Sequence, residues 1–147
     1  MEKLTQSDLT NALKRVNIAR GDKLLVHSSS MAFGRPEKGI STFISSLLDA
    51  VGLEGVVAAP TFTFNFLETG QFDHSETRSV GMGALNEELR KQEGAIRSNH
   101  PIQSVTFLGP VSDKFTMDRP FSVYESGSTF DLMSKQGFKI FADNKNI

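Results

Sequence analysis

Two short apolar runs constrain this chain most: Lys23-Leu24-Leu25-Val26-His27 and Val56-Val57-Ala58-Ala59. Between them apolar residues recur at helical spacing, at Ile40, Phe43, Ile44, Leu47, Leu48 and Val51. Short apolar runs bounded by turn signals read as buried strands. The stretch between them reads as a helix with one buried face, from about residue 40 to 51. Gly52 and Gly55 close that helix, and Pro60 ends the second strand. Apolar strands alternating with amphipathic helices imply an α/β fold, a layered sheet with helices on both faces.

The flanking sequence extends the same pattern. Thr5 is placed to cap a first helix, with Asp8 in its first turn, where the helix dipole favours an anion. Leu9, Ala12, Leu13 and Val16 give that helix its apolar face, and Gly21-Asp22 turns the chain into the first strand. Residues 61–79 are rich in Phe, Thr and acids without a clear period. They read as a long loop, which in a compact domain is usually functional or mobile. A helix over 83–93, a loop over 97–104, a strand over 104–108, a helix over 128–136 and a strand over 138–141 complete the prediction. The polar end, Asp143-Asn144-Lys145-Asn146-Ile147, adds no covering helix. The 147 residues are therefore expected to form a single α/β domain, incomplete on its C-terminal side.

Composition removes several function classes. A net charge of −1 argues against a nucleic-acid or anionic-membrane partner. The 12 Phe residues do not interleave with basic ones as in a single-strand nucleic-acid groove, so core filling is their ordinary reading. No segment approaches the roughly 20 apolar residues of a membrane span. The absence of cysteine excludes disulfides, thiolate zinc sites and a cysteine nucleophile. The N-terminus lacks the apolar core of a signal peptide, and a cytoplasmic location is expected.

Two polar clusters stand at the ends of apolar runs. Arg97-Ser98-Asn99-His100-Pro101-Ile102-Gln103-Ser104 leads into Val105-Thr106-Phe107-Leu108-Gly109, and His27-Ser28-Ser29-Ser30 follows the first strand. Donor-rich loops beside buried scaffold are where ligand chemistry tends to sit. Nucleotide motifs are missing: Gly81-Met82-Gly83 lacks a third glycine, and no phosphate-loop Lys-Ser/Thr pair occurs. Ser28, Ser29 and Ser30 lack the flanking glycines of a nucleophile elbow. His27, His74 and His100 show no paired metal-ligand spacing, and no metal is expected. Asp73-His74-Ser75-Glu76 reads as a solvated acidic loop. Arg78 and Arg97 suit either a phosphate or a carboxylate.

Five blocks, taken in order, resemble the aminoglycoside 3-N-acetyltransferase family. They are residues 23–30 with Phe33-Gly34, residues 48–55 leading to Pro60-Thr61-Phe62-Thr63, Phe72-Asp73, Gly81-Met82-Gly83-Ala84-Leu85-Asn86-Glu87, and residues 97–109. The resemblance implies transfer of an acetyl group from acetyl-CoA to an amino group of an aminoglycoside or other aminosugar. Such transfer needs a base near the amine, donors for the carbonyl oxygen and anchors for pantetheine and phosphates. It implies a CoA side formed by His27, Ser28, Ser29, Ser30, Arg97, Ser98, His100 and Ser104. It implies an acceptor side formed by Thr61, Phe62, Thr63, Asp73, Glu76 and Glu87, whose acids would suit a polycationic sugar.

The family's catalytic histidine and its partner acid would lie beyond Ile147, so no catalytic residue is assigned here. His100 sits on the CoA side and is not that base. The expected consequences are low activity of these 147 residues on their own and self-association through an uncovered sheet edge. Two other readings stay open at this point: a non-catalytic CoA-binding or interaction remnant, and a small serine hydrolase using residues 28–30.

Overall fold

The computed structural model describes residues 2–27, 34–117 and 122–142. Ser28, Ser29 and Ser30 lie outside the described residues, as does the polar end, 143–147.

Helix α1 (Gln6–Arg15) starts as its cap requires. The Thr5 hydroxyl accepts from the Asp8 N–H at 3.1 Å, and the Asp8 carboxylate accepts from the Thr5 N–H at 2.9 Å. This reciprocal box satisfies two of the helix's open donors. Bonds from the Thr5 side chain and backbone hold the Asp8 carboxyl below its usual range. Strand β1 (Lys23–His27) and helix α2 (Ile40–Val51) follow, then strand β2 (Val56–Pro60). A four-residue helix, α3 (Phe66–Thr69), interrupts the long loop. Helix α4 (Ala84–Arg90), strands β3 (Ile96–Arg97) and β4 (Val105–Leu108), helix α5 (Thr129–Lys135) and strand β5 (Lys139–Ala142) complete the order.

The five strands form one mixed sheet in the order β3-β4-β2-β1-β5. β1 lies parallel to β2 and to β5, with Leu25 opposite Ala58 on one side and Ile140 on the other. β4 runs antiparallel to β2, and β3 antiparallel to β4. Successive strand residues point to opposite faces, and the core divides accordingly. Leu24, Val26, Val57 and Ala59 join α1, α2 and α4 through Leu9, Leu13, Ile44, Leu47, Leu85 and Leu89. Leu25, Val56, Ala58, Val105 and Phe107 face the other way, against Met133 of α5 and against Phe115. Each of the larger apolar side chains among them, fully buried, stabilises the fold by about 1.5–3 kcal/mol. Both faces of the sheet thus carry helices. Part of the Phe content is core: the rings of Phe107 and Phe115 stand 4.5 Å apart, with Phe138 6.0 Å from Phe107.

The elements depart from the sequence reading in several places, among them a 3-10 turn over Asp113–Phe115 that no apolar pattern announces. Ile96–Arg97 is a strand where a loop is expected at Arg97, paired to Phe107 and Thr106. Two residues are too few to show a period of two. α4 ends at Arg90, short of residue 93, and Gly94 turns the chain with φ +79°. The long loop contains the single turn of α3, whose side chains are not buried and so leave no apolar stripe.

Candidate functional site

The topology brings the polar clusters to one rim of the sheet. His27 ends β1 beside Ala142 of β5, and Pro60 ends the parallel strand β2. Pro60 is paired with Val105 at the start of β4, and Thr106 with Arg97 at the end of β3. His27, Thr61, Arg97, Ser98 and Ser104 therefore emerge at the same edge. In open α/β sheets, ligands bind outside the carboxyl ends of the parallel strands.

Beyond the sheet, the β2–β4 pairing continues into the loops. The Thr61 N–H donates to Ser104 O at 2.9 Å, and the Thr63 N–H to Ile102 O at 2.7 Å. The Thr63 hydroxyl bonds the Pro101 carbonyl. Thr61, Thr63, Ser98 and Ser104 are all fully buried. The Ser98 N–H donates to Val105 O at 2.9 Å, and its hydroxyl accepts from the Val105 N–H at 2.9 Å. The Ser104 hydroxyl donates to Thr61 O at 2.8 Å. These hydroxyls are framework of the rim.

Arg97 lies under that framework, only 4% exposed. Its Nε donates to Ser104 Oγ at 2.9 Å and its Nη2 to Thr61 O at 2.8 Å. Its Nη1 donates to Thr77 O at 2.5 Å and His74 O at 3.3 Å. The Phe72 ring covers it, with Cζ 5.0 Å from the centroid. Burial, with Arg90 nearby, pushes the guanidinium down to about 10, so it stays charged at neutral pH.

His100 is half-buried. Its Nδ1 accepts from the N–H groups of Gln103 at 2.9 Å and Ile102 at 3.3 Å. A ring nitrogen that accepts carries no proton, so the neutral ring bears its proton on Nε2. Asn99 bonds the Thr116 carbonyl and ties this turn to the opposite face.

On the other side, Asp73 and Glu76 are exposed. Asp73 Oδ1 accepts from Ser75 N–H at 2.9 Å, Ser75 Oγ at 2.6 Å and Glu76 N–H at 3.0 Å. The Ser75 hydroxyl and these backbone donors hold the Asp73 carboxyl below its ordinary range. Phe62 is half-buried, edge-on to Phe64 at 5.8 Å and to Phe130 of α5 at 6.4 Å. Glu87 is nearly buried at 9% exposure. It holds Arg90 at 2.6 Å and accepts from the Ser79 N–H at 3.0 Å, with Arg78 at 3.7 Å and Lys91 at 3.9 Å. Burial alone would raise its carboxyl. The Arg90 guanidinium, the Ser79 N–H and Lys91 outweigh that and hold it low. Beside Glu87 opens a cleft of about 410 Å³ lined by Arg78, Ser79, Glu88 and Lys91. Ser79 Oγ, on that cleft, is buried without a hydrogen-bond partner.

Arg90, Phe72 and Asn86 are not found from sequence. Asn86 bonds the Pro60 carbonyl at the end of β2. Arg90 carries a signal that could have found it, a cation three residues after Glu87 on one helix. Phe72 and Asn86 stand in blocks that carry the family resemblance, but their contacts cannot be read there, because their partners, Arg97 and Pro60, are distant in sequence. Among the described residues no three His, Cys, Asp or Glu side chains gather as a metal group, and no helix is long and apolar enough to cross a membrane.

Residues 25–141 match the family described as aminoglycoside 3-N-acetyltransferase. The chain is 32% identical over 129 residues to aminoglycoside N(3)-acetyltransferase III of a Salmonella species, covering 76% of this chain and 45% of that protein. It thus spans about half the length of the curated relatives it matches. Its fold superposes on the solved structure of AAC-IIIb in binary complex with CoASH, with TM-score 0.86 and 28% identity, over 96% of this chain and 59% of that one. Sisomicin-bound AAC-VIa shares the fold, with TM-score 0.86 and 24% identity, over 96% of this chain and 60% of that one.

Proposed function

Because the chain belongs to the aminoglycoside 3-N-acetyltransferase family, we propose that it serves acetyl transfer from acetyl-CoA to an amino group of an aminoglycoside or other aminosugar. The observation that carries this reading is the shared rim. The ends of β1, β2 and β3 and the start of β4 meet at one edge, with a donor-rich turn on one side and an acidic turn on the other. The CoASH bound by the related AAC-IIIb supports CoA as co-substrate.

In this reaction the neutral amine nitrogen bonds to the thioester carbon and the carbon–sulfur bond breaks. The proton lost by the nitrogen goes to a base, and the CoA thiolate takes a proton. In our reading CoA lies against His27, residues 28–30 and the 100–103 turn. Ser98 and Ser104 support that surface from beneath. Asp73 and Glu76 attract the cationic acceptor, and Phe62 and Glu87 shape its side. His100 does not take the amine proton, because its one acceptor nitrogen already receives two amide N–H groups.

The 147 residues alone are proposed to bind CoA with little turnover. A thiol-release assay with acetyl-CoA and a panel of aminoglycosides tests this, with calorimetric titration of CoA beside it. CoA binding with negligible release is expected. Normal turnover would mean that a base among these residues had been overlooked. No CoA binding would contradict the reading of the rim.

A further inference from the structure

We propose that Arg97 and Arg90 are positioning residues that clamp the 73–77 turn and so fix where Asp73 and Glu76 meet a cationic acceptor. This rests on the acceptor-side reading above. Three carbonyls of the turn are drawn inward by the two guanidiniums. Arg97 Nη1 reaches those of His74 and Thr77 at 3.3 and 2.5 Å, and Arg90 Nη1 reaches that of Ser75 at 2.7 Å. Each guanidinium is anchored on its far side. Arg97 is fixed to Ser104 and Thr61 at the rim, and Arg90 chelates Glu87 at 2.9 and 2.6 Å.

Inside the turn, the Thr77 N–H donates to Asp73 O at 2.8 Å and the Asp73 N–H to Thr77 Oγ1 at 2.8 Å. With its carbonyls held inward, the turn leaves the Asp73 and Glu76 side chains exposed. Apart from the single turn of α3, residues 61–79 form no helix or strand of their own. Among the described residues, the two arginines are thus side-chain ties between this acidic turn and the scaffold. A planar fork suits the task, since several donors are aimed from one rigid group. Burying two guanidiniums costs desolvation, an unfavourable way to gain stability alone. Fixing the geometry of a binding turn gives them a purpose.

Hydrogen exchange of the 73–77 amides, read alongside sisomicin and CoA affinities, tests the clamp. Arg97→Ala should speed exchange of the Ser75, Glu76 and Thr77 amides at least tenfold and weaken sisomicin about tenfold, a larger loss than any in CoA affinity. Arg97→Lys should fail to rescue either, because one ammonium cannot serve four acceptors. If Arg97→Ala does not fold, Arg90→Lys should speed exchange at the same amides, with the melting of the sheet amides retained. Parent-like exchange of the turn in these variants would overturn the clamp. So would a tenfold loss of CoA affinity with the turn still protected, since Arg97 would then contact CoA. If the parent binds no sisomicin, the acceptor reading fails, while exchange of the turn still decides the clamp.

Discussion

Glu87 shows how one buried carboxylate organises its surroundings. It offsets Arg90, accepts from the Ser79 N–H and is approached by Arg78 and Lys91. Its folded value lies below the ordinary 4.5, so its contribution is complete above 4.5 and is lost as pH falls through the lowered value. Glu87→Gln should therefore cost about 1–3 kcal/mol at neutral pH, and the gap to the parent should close in acid. Denaturant unfolding at both pH values measures it, and a constant gap would remove the carboxylate from this role. At this scale the sequence supplied identities and withheld partners. Arg97 could be picked out as a lone guanidinium in a polar stretch. One acceptor, Ser104, lies in that same stretch, but the other three come from residues 61, 74 and 77, 20 to 36 positions away, and no local pattern encodes them. Burial of Ser98, Thr61 and Ser104 was hidden for the same reason.

Among the elements, α2 and β1 were legible to the residue, because each combines a clear apolar pattern with glycine or proline boundaries. β3 was not, since its two residues gain strand geometry only from β4. The antiparallel entry of β4 was equally hidden, because a buried strand reads alike in either direction. Its far end depends on Gly109, which has φ +125°, and where a Cβ would stand 2.4 Å from Gly55 O. Gly109→Ala should destabilise the protein by about 1–3 kcal/mol through strain at this contact. Thermal unfolding checks it, and an unchanged midpoint would mean that the β2 and β4 ends can part without penalty.

At the scale of the whole molecule, the two-faced sheet and the shared rim follow from strand order, which sequence patterns do not specify. The same order leaves β5 at an edge with no further strand beside it among the described residues. Ile140 there is 71% exposed. Open strand edges recruit other chains, so the 147-residue chain should self-associate as concentration rises. Light scattering should report that growth, and Ile140→Lys should suppress it. A monomer at all concentrations would show that the edge is protected. CoA should meet the rim where β1 ends and the 100–103 turn begins. Amide chemical-shift mapping during CoA titration tests it most directly. Saturable shifts should gather at His27 and residues 100–104, with the opposite edge around Asp22 and Gly109 unmoved. Shifts confined to that opposite edge, or none at all, would contradict it.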